Sequence, residues 1–154
     1  MDQDIVYPVI LLGKHGVHTA CDSEQLTTTQ KSLLKAGLYK DRLMVDAVGV
    51  ARHVHQAREL VGSVGLFGRL RALWNPSALI RVELVFDGEF APVSIDELKE
   101  RLLESFAGRP RDLAEWNPGT INFEQLKEGL KTAGTFDELF HLVREYTTVR
   151  PELR

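Results

Sequence analysis

In the stretch Leu79-Ile80-Arg81-Val82-Glu83-Leu84-Val85-Phe86, the apolar residues Ile80, Val82, Leu84 and Phe86 fall at every second position, with Arg81 and Glu83 between the first three. Successive side chains leave a strand on opposite faces, so this alternation predicts a strand with one buried and one solvated side. Moving toward the N-terminus, Val50 to about Val61 and Leu43 to Val45 read as a hairpin around Asp46-Ala47-Val48-Gly49. Aspartate first and glycine fourth is the preference of a type I turn. A further pair precedes it: the aliphatic run Val6 to Leu12, the turn Gly13-Lys14-His15-Gly16, and Val17 to Cys21. Glycine accepts positive φ at little steric cost, which suits that turn.

Between the two hairpins the spacing predicts a helix from Asp22 to Gly37. Asp22 stands at its N-cap, Gln25 at N3, and Leu26, Leu33 and Leu34 form its apolar face. Beyond Phe86 the period changes from two to that of a helix. Ser94 and Glu97 form a capping box ahead of Ile95, Leu98, Leu102 and Phe106. Asn122 and Gln125 open a second helix carrying Phe123, Leu126 and Leu130. Thr135 and Glu138 open a third, carrying Phe136, Leu139, Phe140 and Val143. The stretch from Pro110 to Pro118, which includes Trp116, reads as a connection.

The resulting order is β-β-α-β-β-loop-β-α-α-α. Strands joined by short turns pair antiparallel. A strand-rich first half followed by a helical second half predicts an α+β fold. The expected architecture is a five-stranded, mainly antiparallel sheet with helices packed on one face, sharing a single apolar interior, in one domain over residues 1–154.

Composition fits a packed globule: 44% of the 154 residues are hydrophobic and 27% are charged. A net charge of −3 argues against a general nucleic-acid binder. The charge is uneven, with nine Lys/Arg against seven Asp/Glu in residues 1–77 and ten against fifteen in residues 78–154. The mildly basic first half would steer an acidic partner. The single cysteine, Cys21, gives no internal disulfide, and the acidic start Met1-Asp2-Gln3-Asp4 does not resemble a signal peptide. The early apolar run is far shorter than the roughly 20 residues of a membrane span. The expectation is a cytoplasmic protein without membrane contact.

Chemistry-bearing residues are few. His53 and His55, at i and i+2 of a predicted strand, would point to one side. His15 and His18 lie at the first hairpin turn, and four imidazoles together would suit a transition metal, with Cys21 a further ligand. Cys21 beside His18 or His53, just before a helix, also has the makings of a thiol–imidazole pair. Asp22, Asp46, Glu59, Glu83 and Asp87 are the candidate acid–base carboxylates. Gly62, Gly65 and Gly68 recur every third residue among Leu66, Phe67, Leu70, Leu73 and Trp74, without matching a phosphate-binding fingerprint. In that segment Phe67, Arg69, Arg71 and Trp74 have the composition of an interface hot spot. No cofactor fingerprint or nucleophile elbow occurs, so no cofactor is expected. The leading expectation is a non-catalytic binding or accessory protein that engages another protein, as small bacterial immunity proteins do. The alternatives are a metal-binding protein or metal-dependent enzyme using the histidines, and a small-molecule-binding domain.

Overall fold

The computed structural model describes residues 4–13, 16–60, 79–107 and 121–147. In chain order the elements are β1 (Val9–Gly13), β2 (Gly16–Ala20), α1 (Ser23–Thr27), β3 (Thr28–Gln30), α2 (Lys31–Lys35), β4 (Arg42–Val45), β5 (Val50–Glu59), β6 (Leu79–Pro92), α3 (Ile95–Ala107), α4 (Phe123–Thr132) and α5 (Phe136–Thr147). The strands form one sheet in the order β2-β1-β4-β5-β6-β3, and every pairing is antiparallel. The fold is α+β with an antiparallel sheet, as expected. Among the described residues it has six strands, not five.

The extra strand has a local cause. Thr27, Thr28 and Thr29 are β-branched in succession, which stiffens χ1 and favours a strand over a helix. The single helix expected from Asp22 to Gly37 is therefore split into α1 and α2, and Thr28–Gln30 pairs with Leu79–Arg81 of β6. The cap at Asp22 forms as expected, its carboxylate accepting from the Gln25 amide at 2.8 Å.

The sheet curls. The segment β3 follows directly from α1, and α1 follows β2 at one edge, yet β3 pairs with β6 at the other end of the strand order. Helix α1 touches both β2 and β6, so the two edges are drawn toward each other.

The apolar residues form two clusters rather than the one interior expected. Ile10, Leu12, Val17 and Val45 join Leu98 and Leu102 of α3, Leu126 and Leu130 of α4, and Leu139, Phe140, Val143 and Tyr146 of α5. Val9, Leu11, Met44, Val54, Ile80 and Val82 join Leu26 and Tyr39 in the second. Odd and even residues of β1 thus enter different clusters, so the sheet itself divides the interior. The three long helices pack on one face. The short α1 contributes Leu26 to the other, and Leu34 of α2 packs against it. Burial on both sides explains the unbroken aliphatic run of β1.

The hairpin turn between β4 and β5 is built as its sequence implies. Asp46 Oδ1 accepts from the amides of Val48 at 3.1 Å and Val50 at 3.0 Å. Gly49 has φ +82° and lies against the Phe136 ring, so a Cβ there would collide with the first turn of α5. Asn122 and Gln125 form a complete capping box on α4. Ser94 Oγ accepts from the Glu97 amide at 3.1 Å before α3. Before α5, Thr135 Oγ1 accepts from the Glu138 amide, while the Glu138 carboxylate reaches back to the Gly134 amide.

Candidate functional site

Among the described residues, the expected histidine cluster does not assemble as a whole. His15, Phe67, Arg69, Arg71 and Trp74 lie outside the described residues. His18 is on β2, where the register aligns it with Leu11, Met44 and Arg52. His53 is on β5, aligned with Leu43, Leu12 and Val17. Directly paired residues share a face of a sheet. These two rows alternate along β1, so His18 and His53 face opposite sides of the sheet. Two strands also stand between β2 and β5.

His53 and His55 do come together, both on Asp87. His53 Nδ1 is 2.5 Å from Asp87 Oδ1, and His55 Nδ1 is 3.6 Å from Asp87 Oδ2 and 3.8 Å from Asp41 Oδ1. All four side chains are exposed. Among the described residues no group of three or more His, Cys, Asp and Glu is arranged to hold a metal. Cys21 is half-buried, and its amide donates to Gln25 Oε1. The other candidate carboxylates have structural partners. Asp22 caps α1, Asp46 closes the turn, Glu59 is 4.0 Å from Lys31, and Glu83 lies opposite Arg58.

The unexpected feature is Arg42, the first residue of β4. It pairs with Val54 of β5, which in turn pairs with Phe86 of β6, and Met44 lies two residues on along the same face. This is the curled face, and Arg42 is fully buried on it, at 0% exposure. Its stem passes over Gly13, where a Cβ would sit 2.5 Å from Arg42 Cδ. Only the absence of a side chain at Gly13 admits that path. Nη1 donates to the Gly16 carbonyl at 2.8 Å. Among the described residues, Nε and Nη2 have no hydrogen-bond partner.

The charge balance on this side is equally uneven. The buried polar and charged residues described are Thr29, Arg42, Asp46 and Arg52. Asp46 is the only carboxylate among them, and it already accepts two turn amides. It also lies 4.0 Å from Arg52 Nη2. Arg52 further stacks over the Phe90 ring, 4.4 Å from its centroid. No described buried carboxylate is paired with Arg42. Burial pulls its guanidinium below the ordinary arginine value, and neighbouring Tyr39 acts in the opposite direction. An arginine stays protonated in proteins, so a full positive charge is held in the interior.

Sequence reading missed this residue because Arg42 stands just before the predicted strand Leu43 to Val45. The available signal was its period-2 alignment with Met44, and it points inward only once the strand is known to begin one residue earlier. Compared with known proteins, the chain matches no family model, no curated protein and no solved structure.

Proposed function

We propose that this chain is a non-catalytic binding domain whose ligand is anionic. The observation that carries the reading is the buried guanidinium of Arg42, whose charge no described buried carboxylate balances. Taking a cation out of water costs several kcal/mol unless a counter-charge and hydrogen bonds replace its hydration. A bound anion supplies both. The candidate acid–base groups support binding over catalysis, because Asp22 is a helix cap, Asp46 closes a turn, Glu59 lies beside Lys31 of α2 and Asp87 meets His53 and His55. This reading keeps the binding role expected from the sequence and places its contact on β4.

The test is thermal unfolding of the full chain across a panel of anions at fixed ionic strength. A ligand of the folded state raises the transition with the logarithm of its concentration above Kd. The expected result is such a rise for at least one anion, lost in Arg42→Met. A response that follows ionic strength alone and is identical in wild type and Arg42→Met overturns the reading.

A further inference from the structure

We infer that the ligand is a small organic acid whose carboxylate sits on the Nε–Nη2 edge of Arg42. This rests on the anionic reading above and narrows it to one chemistry.

The identity of the nitrogens without described partners sets the chemistry. In a guanidinium, Nη1 lies on the same side as Cδ, whereas Nε–H and Nη2–H point the same way along the opposite edge. Gly16 occupies Nη1. The two nitrogens without described partners are therefore not a scattered pair. They form one complete fork, the edge that binds a planar two-oxygen anion through parallel N–H···O bonds.

Charge and donor number then choose among oxyanions. One guanidinium edge offers two N–H groups and one positive charge. A carboxylate brings two coplanar oxygens and one negative charge, so both balance. A phosphate brings further oxygens and, near neutral pH, a second charge. The second buried guanidinium on this face, Arg52, is already met by the Asp46 carboxylate and the Phe90 ring. Leu11, Met44, Val54 and Phe86 are apolar, and the Tyr39 hydroxyl already donates to the Leu26 carbonyl at 3.0 Å. The same apolar lining suits the hydrocarbon part of an organic acid.

Access limits size. The Nε and Nη2 atoms are covered, so the acid reaches them through a local opening of the fold. A free small molecule fits that route, whereas a carboxylate fixed on the surface of a folded partner does not. Binding is accordingly slow compared with diffusion.

The experiment follows the Arg42 Nε–H resonance of ¹⁵N-labelled full-length protein, with calorimetry in parallel. The titrants are acetate, propionate and butyrate, with phosphate and chloride at matched ionic strength. The expected result is a saturating shift of that resonance with the carboxylates alone, matched by measurable binding. Arg42→Lys keeps the charge but not the fork and weakens carboxylate binding by about tenfold or more, the scale of one charge-assisted hydrogen bond. Phosphate or chloride acting as well as the carboxylates overturns the carboxylate assignment and leaves the anionic reading standing. Calorimetric binding with an unmoved Nε–H resonance places the ligand elsewhere and overturns the inference. No binding by any anion overturns both. The resonance is read in the wild-type protein, so the test survives if a variant fails to fold.

Discussion

The two faces of the sheet use the same strands and close in different ways. On the helix-covered face, β1, β2 and β4 supply Ile10, Leu12, Val17 and Val45, and three amphipathic helices cover them with leucine and aromatic side chains. The polar atom lacking a described partner in that cluster is the hydroxyl of Tyr146, set edge-on to Phe106 at 4.8 Å between centroids. On the curled face, β1 and β4 supply Val9, Leu11 and Met44, and the cover comes from the sheet's own bending together with Leu26 and Tyr39. Here Arg42, a cation, is enclosed among them. A neutral hydroxyl without a partner is a modest cost, whereas a buried charge is a large one. Stability therefore rests mainly on the first face, and the anion site proposed above lies on the second.

The sharpest way to break this division is Leu139→Ala. Leu139 is fully buried in the helix-covered cluster. Truncating a core leucine costs about 2–5 kcal/mol, combining lost transfer energy with the cavity left behind. Chemical denaturation of the variant measures the effect, and its response to carboxylates should match that of the wild type. A loss below about 1 kcal/mol, or altered ligand binding, would mean that the two faces do not divide the work.

A smaller effect of opposite sign sharpens the same contrast. Tyr146→Phe removes the buried hydroxyl while keeping the ring contact with Phe106. Relief of an unsatisfied polar group is worth about 1 kcal/mol, the low end of the usual desolvation penalty. Burial also raises the Tyr146 phenol above its ordinary value of 10.0. Its folded pKa therefore exceeds its unfolded one. The stability linked to the neutral phenol is fully present below about pH 10 and is lost as pH rises through the folded value. The phenylalanine variant should be the more stable at pH 8. Its stability should also fall less steeply from about pH 10 upward, with Tyr7 and Tyr39, both raised by burial, supplying the remaining slope. Equal alkaline slopes for the two proteins would place the titrating groups elsewhere.

The parts of the fold that were legible are those where one residue's chemistry decides local geometry. Asp46 and Gly49 specify their turn, Asn122 and Gln125 specify a helix start, and Ile80 and Val82 reveal their strand by alternation. Two features were not legible. The strand β3 exists because three consecutive threonines resist helix and because β6 offers an edge beside them; the first condition is in the sequence, and the second is tertiary. Arg42 reads as an ordinary surface arginine until β4, Gly13 and Gly16 are assembled around it. Its burial depends on a glycine 29 positions earlier, a separation no local pattern encodes. The histidines show the reverse case. Spacing put His53 and His55 on one side of their strand, and both reach Asp87, but nothing local shows that β2 turns His18 to the other face.

The smallest expected effect belongs to the rim, at Asp87. Its carboxylate joins His53 and His55 beside the two register shifts in the β5–β6 pairing, where the ladder is least regular. The position looks structurally important, yet these side chains are about half exposed, and exposed ion pairs are worth roughly 0–1 kcal/mol. Asp87→Asn should therefore cost less than about 1 kcal/mol. Denaturation in low and high salt checks this. The deficit should shrink in high salt because water and counter-ions screen a surface pair. A loss of several kcal/mol would show that the β5–β6 irregularity is held by this carboxylate. The exposed rim would then share with the helix-covered cluster the task of keeping the curled face closed around Arg42.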